Sequence, residues 1–156
     1  MNAASFMAVE EAPESVYLHP GQIYTASHAA LVSTVLGSCV AVCLWDPIAR
    51  VGGMNHFLLP TGKGPRYCSE AMPKLLDDMV LHGASVSRMV AKVFGGACVI
   101  ADFTGPRKAI GAMNTEAAQQ FLSSYSIPVR AEQTGGRRGR KLLFHTGTGQ
   151  AYVKEI

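Results

Sequence analysis

The order of hydrophobic patterns along this chain predicts an α/β (α+β) sandwich, with mixed β-sheets and flanking helices. Three observations carry the prediction. Short apolar runs of strand length, bounded by Gly, Pro and Asp, fill the first third of the chain and its end. Two other stretches, Met72 to Val80 and Ala117 to Tyr125, place their apolar residues at helical spacing. The resulting order is strands, helix, strand, helix, strands, which suits packed sheets with helices outside them.

The bulk numbers agree. At 156 residues, 48% hydrophobic and 16% charged, the chain has the material for one well-formed core. A net charge of +3 is too mild to imply nucleic-acid binding. No apolar run has the length of a membrane span. The start of the chain carries Glu10, Glu11 and Glu14 and lacks the basic, then apolar, order of a secretory signal. The expected organisation is a flexible tail over residues 1–15 and a single domain over 16–156. The expected compartment is the cytoplasm, where the four cysteines, at 39, 43, 68 and 98, stay reduced.

Taken in order, His19-Pro20-Gly21 marks a turn before a short extended piece. Ala29 to Val35 is apolar with hydroxyls at Ser33 and Thr34. Gly37-Ser38 interrupts, and Val40 to Trp45 reads as a buried strand. Asp46-Pro47 opens a hairpin turn, and Val51 to Leu59 returns, with Gly52-Gly53 suggesting a bulge or a close backbone approach. A Pro/Gly-rich loop over residues 60–65 leads to the first helix. Its apolar face is Met72, Leu75, Leu76, Met79 and Val80, Gly83 stops it, and Pro73 is expected near its first turn. Met89 to Phe94 is a strand. Asn114 reads as the N-cap of a second helix, with Glu116 in the first turn and Ala117, Ala118, Phe121, Leu122 and Tyr125 on its apolar face. Strands follow at Val129–Glu132, Lys141–His145 and Ala151–Lys154, the last two joined by a turn at residues 146–149.

Cys39 and His56 are the candidate chemistry. Cys39 sits where a Gly-Ser turn enters a strand, and His56 lies near the end of the neighbouring apolar run. Neighbouring strands can bring a thiol beside an imidazole, the minimal unit of thiolate catalysis. His56 as an imidazolium would favour the thiolate, and amides near Gly37 and Ser38 would face a developing oxyanion. The plainer reading is a packed strand cysteine. Cys43 and Cys98 read as packing, and Cys68 as partly exposed beside the loop. A zinc shared by Cys39 and Cys43 is disfavoured, because strand geometry holds residues four apart at about 13 Å. His82 reads as a helix C-terminal cap, His145 as a surface residue near a turn, and His19 and His28 carry no signal. Arg137, Arg138, Arg140 and Lys141 form a basic cluster that reads first as a solvated loop and second as a contact for an acidic partner.

Leu36-Gly37-Ser38-Cys39-Val40-Ala41-Val42, Asp46-Pro47 and Gly53-Met54-Asn55-His56-Phe57-Leu58-Leu59-Pro60 form an ordered set of motifs. It continues through Arg66-Tyr67, Ala71-Met72, Lys92-Val93-Phe94-Gly95-Gly96-Ala97, Ile110-Gly111 with Asn114, Thr134-Gly135-Gly136 and Gly139-Arg140-Lys141. In this combination the chain resembles the CheD family of chemoreceptor glutamine deamidases. Met113 and Gln133 depart from the family pattern, where arginine and an acidic residue are common.

The resemblance implies an α/β sandwich shared with the deamidating toxin cytotoxic necrotizing factor. It implies a protein-glutamine glutaminase that converts chemoreceptor glutamines to glutamate through a cysteine thioester, with no metal or organic cofactor. Methyl-accepting chemotaxis receptors are the implied substrate, and a CheC-type phosphatase is a further candidate partner. The implied site is Cys39, His56 and a hydroxyl residue. Family spacing favours Ser33 for that hydroxyl and residue type favours Thr34. In a strand the two face opposite ways, so only one can orient His56. Two other classes compete: a regulatory binding partner of a chemotaxis phosphatase without catalysis, and a different thiol acyl-transfer enzyme, a protease or transglutaminase.

Overall fold

The computed structural model describes residues 12–98 and 110–156. Its elements in chain order are β1 (Glu14–Tyr17), β2 (Ile23–Ala26), β3 (Ala30–Leu36), β4 (Val40–Asp46), β5 (Val51–Asn55), α1 (Cys68–Leu81), β6 (Val90–Gly95), α2 (Ile110–Ser124), β7 (Val129–Thr134), β8 (Arg140–His145) and β9 (Ala151–Glu155). Residues 1–11 of the expected tail lie outside the described residues. Glu14 and Ser15, expected in that tail, already pair with Ala30 and Leu31 of β3.

Two mixed sheets form an α+β architecture. The four-stranded sheet has the order β1-β3-β8-β9 and the five-stranded sheet β2-β5-β4-β6-β7. Each contains one parallel pair, β1 with β3 and β6 with β7. Burial explains the layering. In β3 buried and less buried residues alternate from Ala30 to Leu36, so one face packs and the other meets solvent. In β4 the first five residues, Val40 to Leu44, are all buried. That strand is covered on both sides, which is why its sequence is a continuous apolar run rather than an alternating one.

The two coverings are distinct cores. Val32, Leu36, Leu142 and Phe144 of the four-stranded sheet meet Ala41, Cys43, Met54 and Phe94 of the five-stranded one. The opposite face of the larger sheet, including Val40, Val42, Leu44 and Val93, packs on Met72, Leu75, Leu76 and Met79 of α1 and Ala118 and Leu122 of α2. Burying a Leu or Met side chain of this kind contributes about 1.5–3 kcal/mol, so the helix layer is held mainly by these side chains.

Several local expectations change. Gly52 and Gly53 form no bulge and pair regularly with both β2 and β4. They serve close approach instead: a Cβ on Gly52 would collide with the Thr146 backbone, and one on Gly53 with Thr25 and Leu75. The strand β5 ends at Asn55, although an isolated bridge between Val40 and Phe57 prolongs its pairing. Pro73 lies in the second turn of α1, so the Ser69 carbonyl has no amide to accept from at that position. Val80 and Tyr125, placed on apolar helical faces by spacing, are exposed. His82 does cap α1, its Nδ1 donating to the Asp78 carbonyl at 2.8 Å.

Asp46 anchors the β4–β5 turn from a fully buried position. Its carboxylate accepts from the amides of Ile48, Ala49 and Ser85 and from Arg88 Nε, and Arg88 adds an ion pair at 2.9 Å. Burial works to raise its pKa, but these donors prevail and hold it down to about 2. Ionised Asp46 therefore stabilises the fold above the ordinary carboxylate range, and this contribution is lost as pH falls from about 4 towards 2. Asp46→Ala, which leaves three amides and a guanidinium without their acceptor, should lower stability by about 3 kcal/mol in urea unfolding at pH 7. The difference from wild type should shrink when the same measurement is made near pH 2.

Candidate active site

The site lies where β4 begins and β5 ends. Bridge pairing of Val40 with Phe57 continues the β4–β5 register, in which Cys43 faces Met54. That register sets Ala41 opposite His56 and Leu58 opposite Cys39. Cys39 and His56 are thus diagonal neighbours, a separation of about 7–8 Å between backbones that long side chains span. Cys39 packs with Ala41, Cys43 and Met54 in the core between the sheets, which places it on the His56 face.

His56 is nearly fully buried. Its Nδ1 lies 2.8 Å from Thr34 Oγ1, and Thr34 Oγ1 lies 2.7 Å from the Leu18 carbonyl oxygen. A carbonyl only accepts, so the Thr34 hydroxyl donates its one proton to Leu18 and its oxygen accepts from Nδ1–H. This pattern puts the neutral ring's proton on Nδ1 and leaves the lone pair on Nε2. Nε2 is buried and makes no hydrogen bond with the described residues.

Strand alternation sends Ser33 and Thr34 to opposite faces of β3. Thr34 is fully buried and points into the sandwich, towards His56. Ser33 points to the other face, where it lines a surface cavity with Lys141, Leu143 and Tyr152. Ser33 therefore does not reach His56, and of the two hydroxyls only that of Thr34 meets the imidazole.

The electrostatics also revise one expectation. Burial pushes the Cys39 thiol up, opposed by its own backbone N–H. Burial brings His56 down to about 4, against the Leu18 carbonyl, which favours the protonated ring. Both shifts disfavour charge, so the substrate-free pair is thiol and neutral imidazole rather than the expected thiolate and imidazolium. Cys43 and Cys68 are buried, and burial raises both thiols, Cys68 to about 12. Cys68 is thus not the partly exposed residue its loop position suggests. Cys39 is partly exposed.

The turn before Cys39 is held by its carbonyls. The Gly37 oxygen accepts from the Ala97 amide, the Cys39 oxygen from the Gly96 amide, and the Ser38 oxygen from Asn114 Nδ2. In a planar trans peptide the N–H points opposite to its C=O, so the amides of Ser38 and Cys39 face away from these contacts.

Asn114 is the neighbour that sequence reasoning misplaced. It is an interior residue of α2, fully buried, and not an N-cap. Its Nδ2 also donates to the Leu58 carbonyl at 2.8 Å. Gly111, one turn earlier on the same helix, was the available signal, since a small residue there lets the helix approach a backbone. Arg140, expected in a solvated basic cluster, is also buried and donates to the Gly95 and Gly135 carbonyls, whereas Arg137 and Arg138 are exposed. Among the described residues no helix is long and apolar enough to cross a membrane.

With this geometry in view, the comparisons with known proteins are specific. The family model described as CheD chemotactic sensory transduction matches residues 60–155. A protein of Anaeromyxobacter dehalogenans (strain 2CP-C), named "Probable chemoreceptor glutamine deamidase CheD 1", is 50% identical over 145 residues, covering 90% of this chain and 84% of that protein. Proteins named "Probable chemoreceptor glutamine deamidase CheD" from Stenotrophomonas maltophilia (strain K279a) and Xanthomonas campestris pv. campestris (strain B100) are each 42% identical over 144 residues, covering 89% of this chain and 72% of theirs. The chain belongs to the CheD family.

Proposed function

We propose that this protein is a chemoreceptor glutamine deamidase, a protein-glutamine glutaminase, with Cys39 as nucleophile, His56 as general base and acid, and Thr34 holding the imidazole. The observation that supports this reading best is the hydrogen bond between Thr34 and His56 Nδ1, which leaves Nε2 as the basic atom on the face where Cys39 lies. Membership of the CheD family supplies the substrate class, the glutamine side chains of chemotaxis receptors. A cytoplasmic reaction, beside the receptors' signalling regions, is part of this reading. A CheC-type phosphatase is a further candidate partner.

The chemistry follows from the neutral pair. As the Cys39 sulfur attacks the carboxamide carbon of a receptor glutamine, its proton passes to His56 Nε2. The developing oxyanion meets the amides of Cys39 and Ser38, which the turn's carbonyl contacts leave pointing the other way. His56 Nε2–H then protonates the departing nitrogen, the C–N bond breaks, and ammonia leaves behind a thioester. A water gives a proton to Nε2 and its oxygen attacks the thioester. The C–S bond breaks, the sulfur recovers its proton from Nε2, and the receptor is released with a glutamate.

Starting from two neutral groups has a catalytic logic. A permanent ion pair in this buried setting would need further compensation that the described residues do not supply. The imidazolium instead forms only as the oxyanion forms, when the Thr34 oxygen, its own proton held by the Leu18 carbonyl, already faces Nδ1–H.

Three outcomes are expected. Mass spectrometry of a chemoreceptor cytoplasmic domain after incubation should show glutamine-to-glutamate conversion at discrete sites, absent with Cys39→Ala. A bound but unconverted receptor would favour the non-catalytic binding partner, backbone cleavage would favour a protease, and amine incorporation a transglutaminase. Thr34→Val, close in shape but without the hydroxyl, should lower turnover by about 10-fold or more, because Nδ1–H loses its acceptor. Ser33→Ala should stay near wild type, and equal losses for the two would remove Thr34 from its role. Because burial holds His56 near 4, the acid limb of kcat/KM should have its midpoint near pH 4 rather than near the ordinary 6.5. A midpoint near 6.5, with the protein folded by circular dichroism throughout, would exclude neutral buried His56 as the base.

A further inference from the structure

We infer that Asn114, on the helix α2 and outside the Cys39–His56–Thr34 set, is a positioning residue whose two hydrogen bonds set the separation of Cys39 and His56. The inference rests on the deamidase reading for its turnover measurement, but not for its measurement of thiol reactivity.

Three independent features converge on this side chain. The first is where its donors go. Asn114 Nδ2 donates to the Ser38 carbonyl at 3.0 Å and to the Leu58 carbonyl at 2.8 Å. Ser38 immediately precedes Cys39, and Leu58 follows His56 by two residues. One amide group therefore ties the segment carrying the thiol to the segment carrying the imidazole. It does so just where regular β4–β5 pairing gives way to the single Val40–Phe57 bridge. Beyond that bridge, and the Asn55 Oδ1 that accepts from the Val42 amide, it is the contact that ties the residue before Cys39 to the residues after His56.

The second feature is how the helix gets close enough. A Cβ on Gly111 would collide with the carbonyl oxygens of Gly96 and Ala97, and one on Gly96 would collide with Thr115 Oγ1 and the Gly111 carbonyl. The two glycines let α2 rest directly on the backbone after β6. Gly111 and Asn114 share a helix face at i and i+3. Glycine at 111 thus lowers the helix onto the loop, and asparagine at 114 reaches past it. The same loop holds Cys39 from below, because the Gly96 amide donates to the Cys39 carbonyl.

The third feature is that simple packing does not explain an asparagine here. Its neighbours along the helix face, Ala118 and Leu122, are apolar and buried. Asn114 Oδ1 is buried without a hydrogen-bond partner among the described residues. An unpaired buried carbonyl is unfavourable, and an apolar residue would avoid it. What the asparagine supplies is a two-proton donor of short reach, matched to two carbonyls. It approaches from the helix side of the sheet, whereas Cys39 packs on the opposite side. It therefore touches neither the sulfur nor a substrate held there, and it acts through the two segments it joins.

The test compares wild type, Asn114→Ala and Asn114→Ser, with Cys39→Ala to define background alkylation. Two quantities are read per folded molecule, the folded fraction coming from circular dichroism. They are the steady-state kinetics of deamidation of a receptor cytoplasmic domain and the rate of iodoacetamide alkylation of Cys39 at pH 7. For Asn114→Ala we expect kcat to fall by about 10- to 100-fold, the scale of an ångström-level misplacement, with KM within about twofold of wild type. Alkylation of Cys39 should slow, because a displaced imidazole accepts the thiol proton less well. Asn114→Ser keeps one donor and should recover part of both. If Asn114→Ala does not fold, the serine variant carries the comparison with the same directions expected. Turnover within threefold of wild type, a loss carried by KM, or Cys39 alkylation at the wild-type rate would each overturn the inference. If wild type proves inactive on receptors, the deamidase reading fails, while the alkylation comparison still decides the role of Asn114.

Discussion

The hydrogen bond between His56 Nδ1 and Thr34 Oγ1 joins the two sheets, and the arrangement of the candidate site depends on it. Thr34 belongs to β3 in the four-stranded sheet, and His56 follows β5 of the five-stranded one. The bond exists only if the sheets pack face to face at the right spacing. Packing of Val32, Leu36, Leu142 and Phe144 against Ala41, Cys43, Met54 and Phe94 is thus more than stability. It determines which ring nitrogen carries the proton. The Leu18 carbonyl completes the arrangement by taking the Thr34 proton, so that the hydroxyl oxygen must accept.

Around Cys39 the protein uses backbone rather than side chains. The carbonyls of Gly37, Ser38 and Cys39 are all engaged, by an alanine amide, an asparagine side chain and a glycine amide. A side chain on Gly95 would strike the Cys39 carbonyl, and Gly95 has φ of +111°, a conformation that L residues rarely adopt. The Gly95-Gly96 pair therefore lets strand β6 end directly beneath the peptide of Cys39. Arg140 reinforces this floor from the other sheet by donating to the Gly95 carbonyl. The result is a thiol on a rigid turn, next to amides that are turned away from the groups holding the turn.

Burial gives the site its charge state, and the same physics runs the opposite way at the other end of β4. At Asp46 burial is outweighed by an arginine and three amides, so the carboxylate stays ionised and strengthens the turn. At Cys39 and His56 burial dominates, and both groups rest neutral. The strand β4 thus ends in a charged structural anchor and is immediately preceded by the neutral candidate nucleophile. The difference is the number of donors supplied to each group, not the depth of burial alone.

Most elements were legible from the chain because they follow from periodicity and punctuation. The continuous run Val40 to Leu44 signals a doubly covered strand, the spacing of Met72 to Met79 a helix with one buried face, and Asp46-Pro47 a turn. Cys39 and His56 were legible as a pair because a two-strand hairpin makes them neighbours. What local pattern does not contain is distance between segments remote in sequence. The choice of Thr34 over Ser33 is a question of which face of β3 meets the second sheet. Asn114 looks like a helix cap in isolation, because the carbonyls it joins lie 76 and 56 residues away. Arg140 looks like part of a solvated cluster until two glycine carbonyls accept from it. The sequence by itself determined the elements, the layered fold class and the thiol–imidazole pair, since these depend on short-range spacing and composition. Only the tertiary structure decided which hydroxyl reaches His56, which ring nitrogen faces it and which carbonyls Asn114 joins, since each is a contact between groups that packing alone brings together.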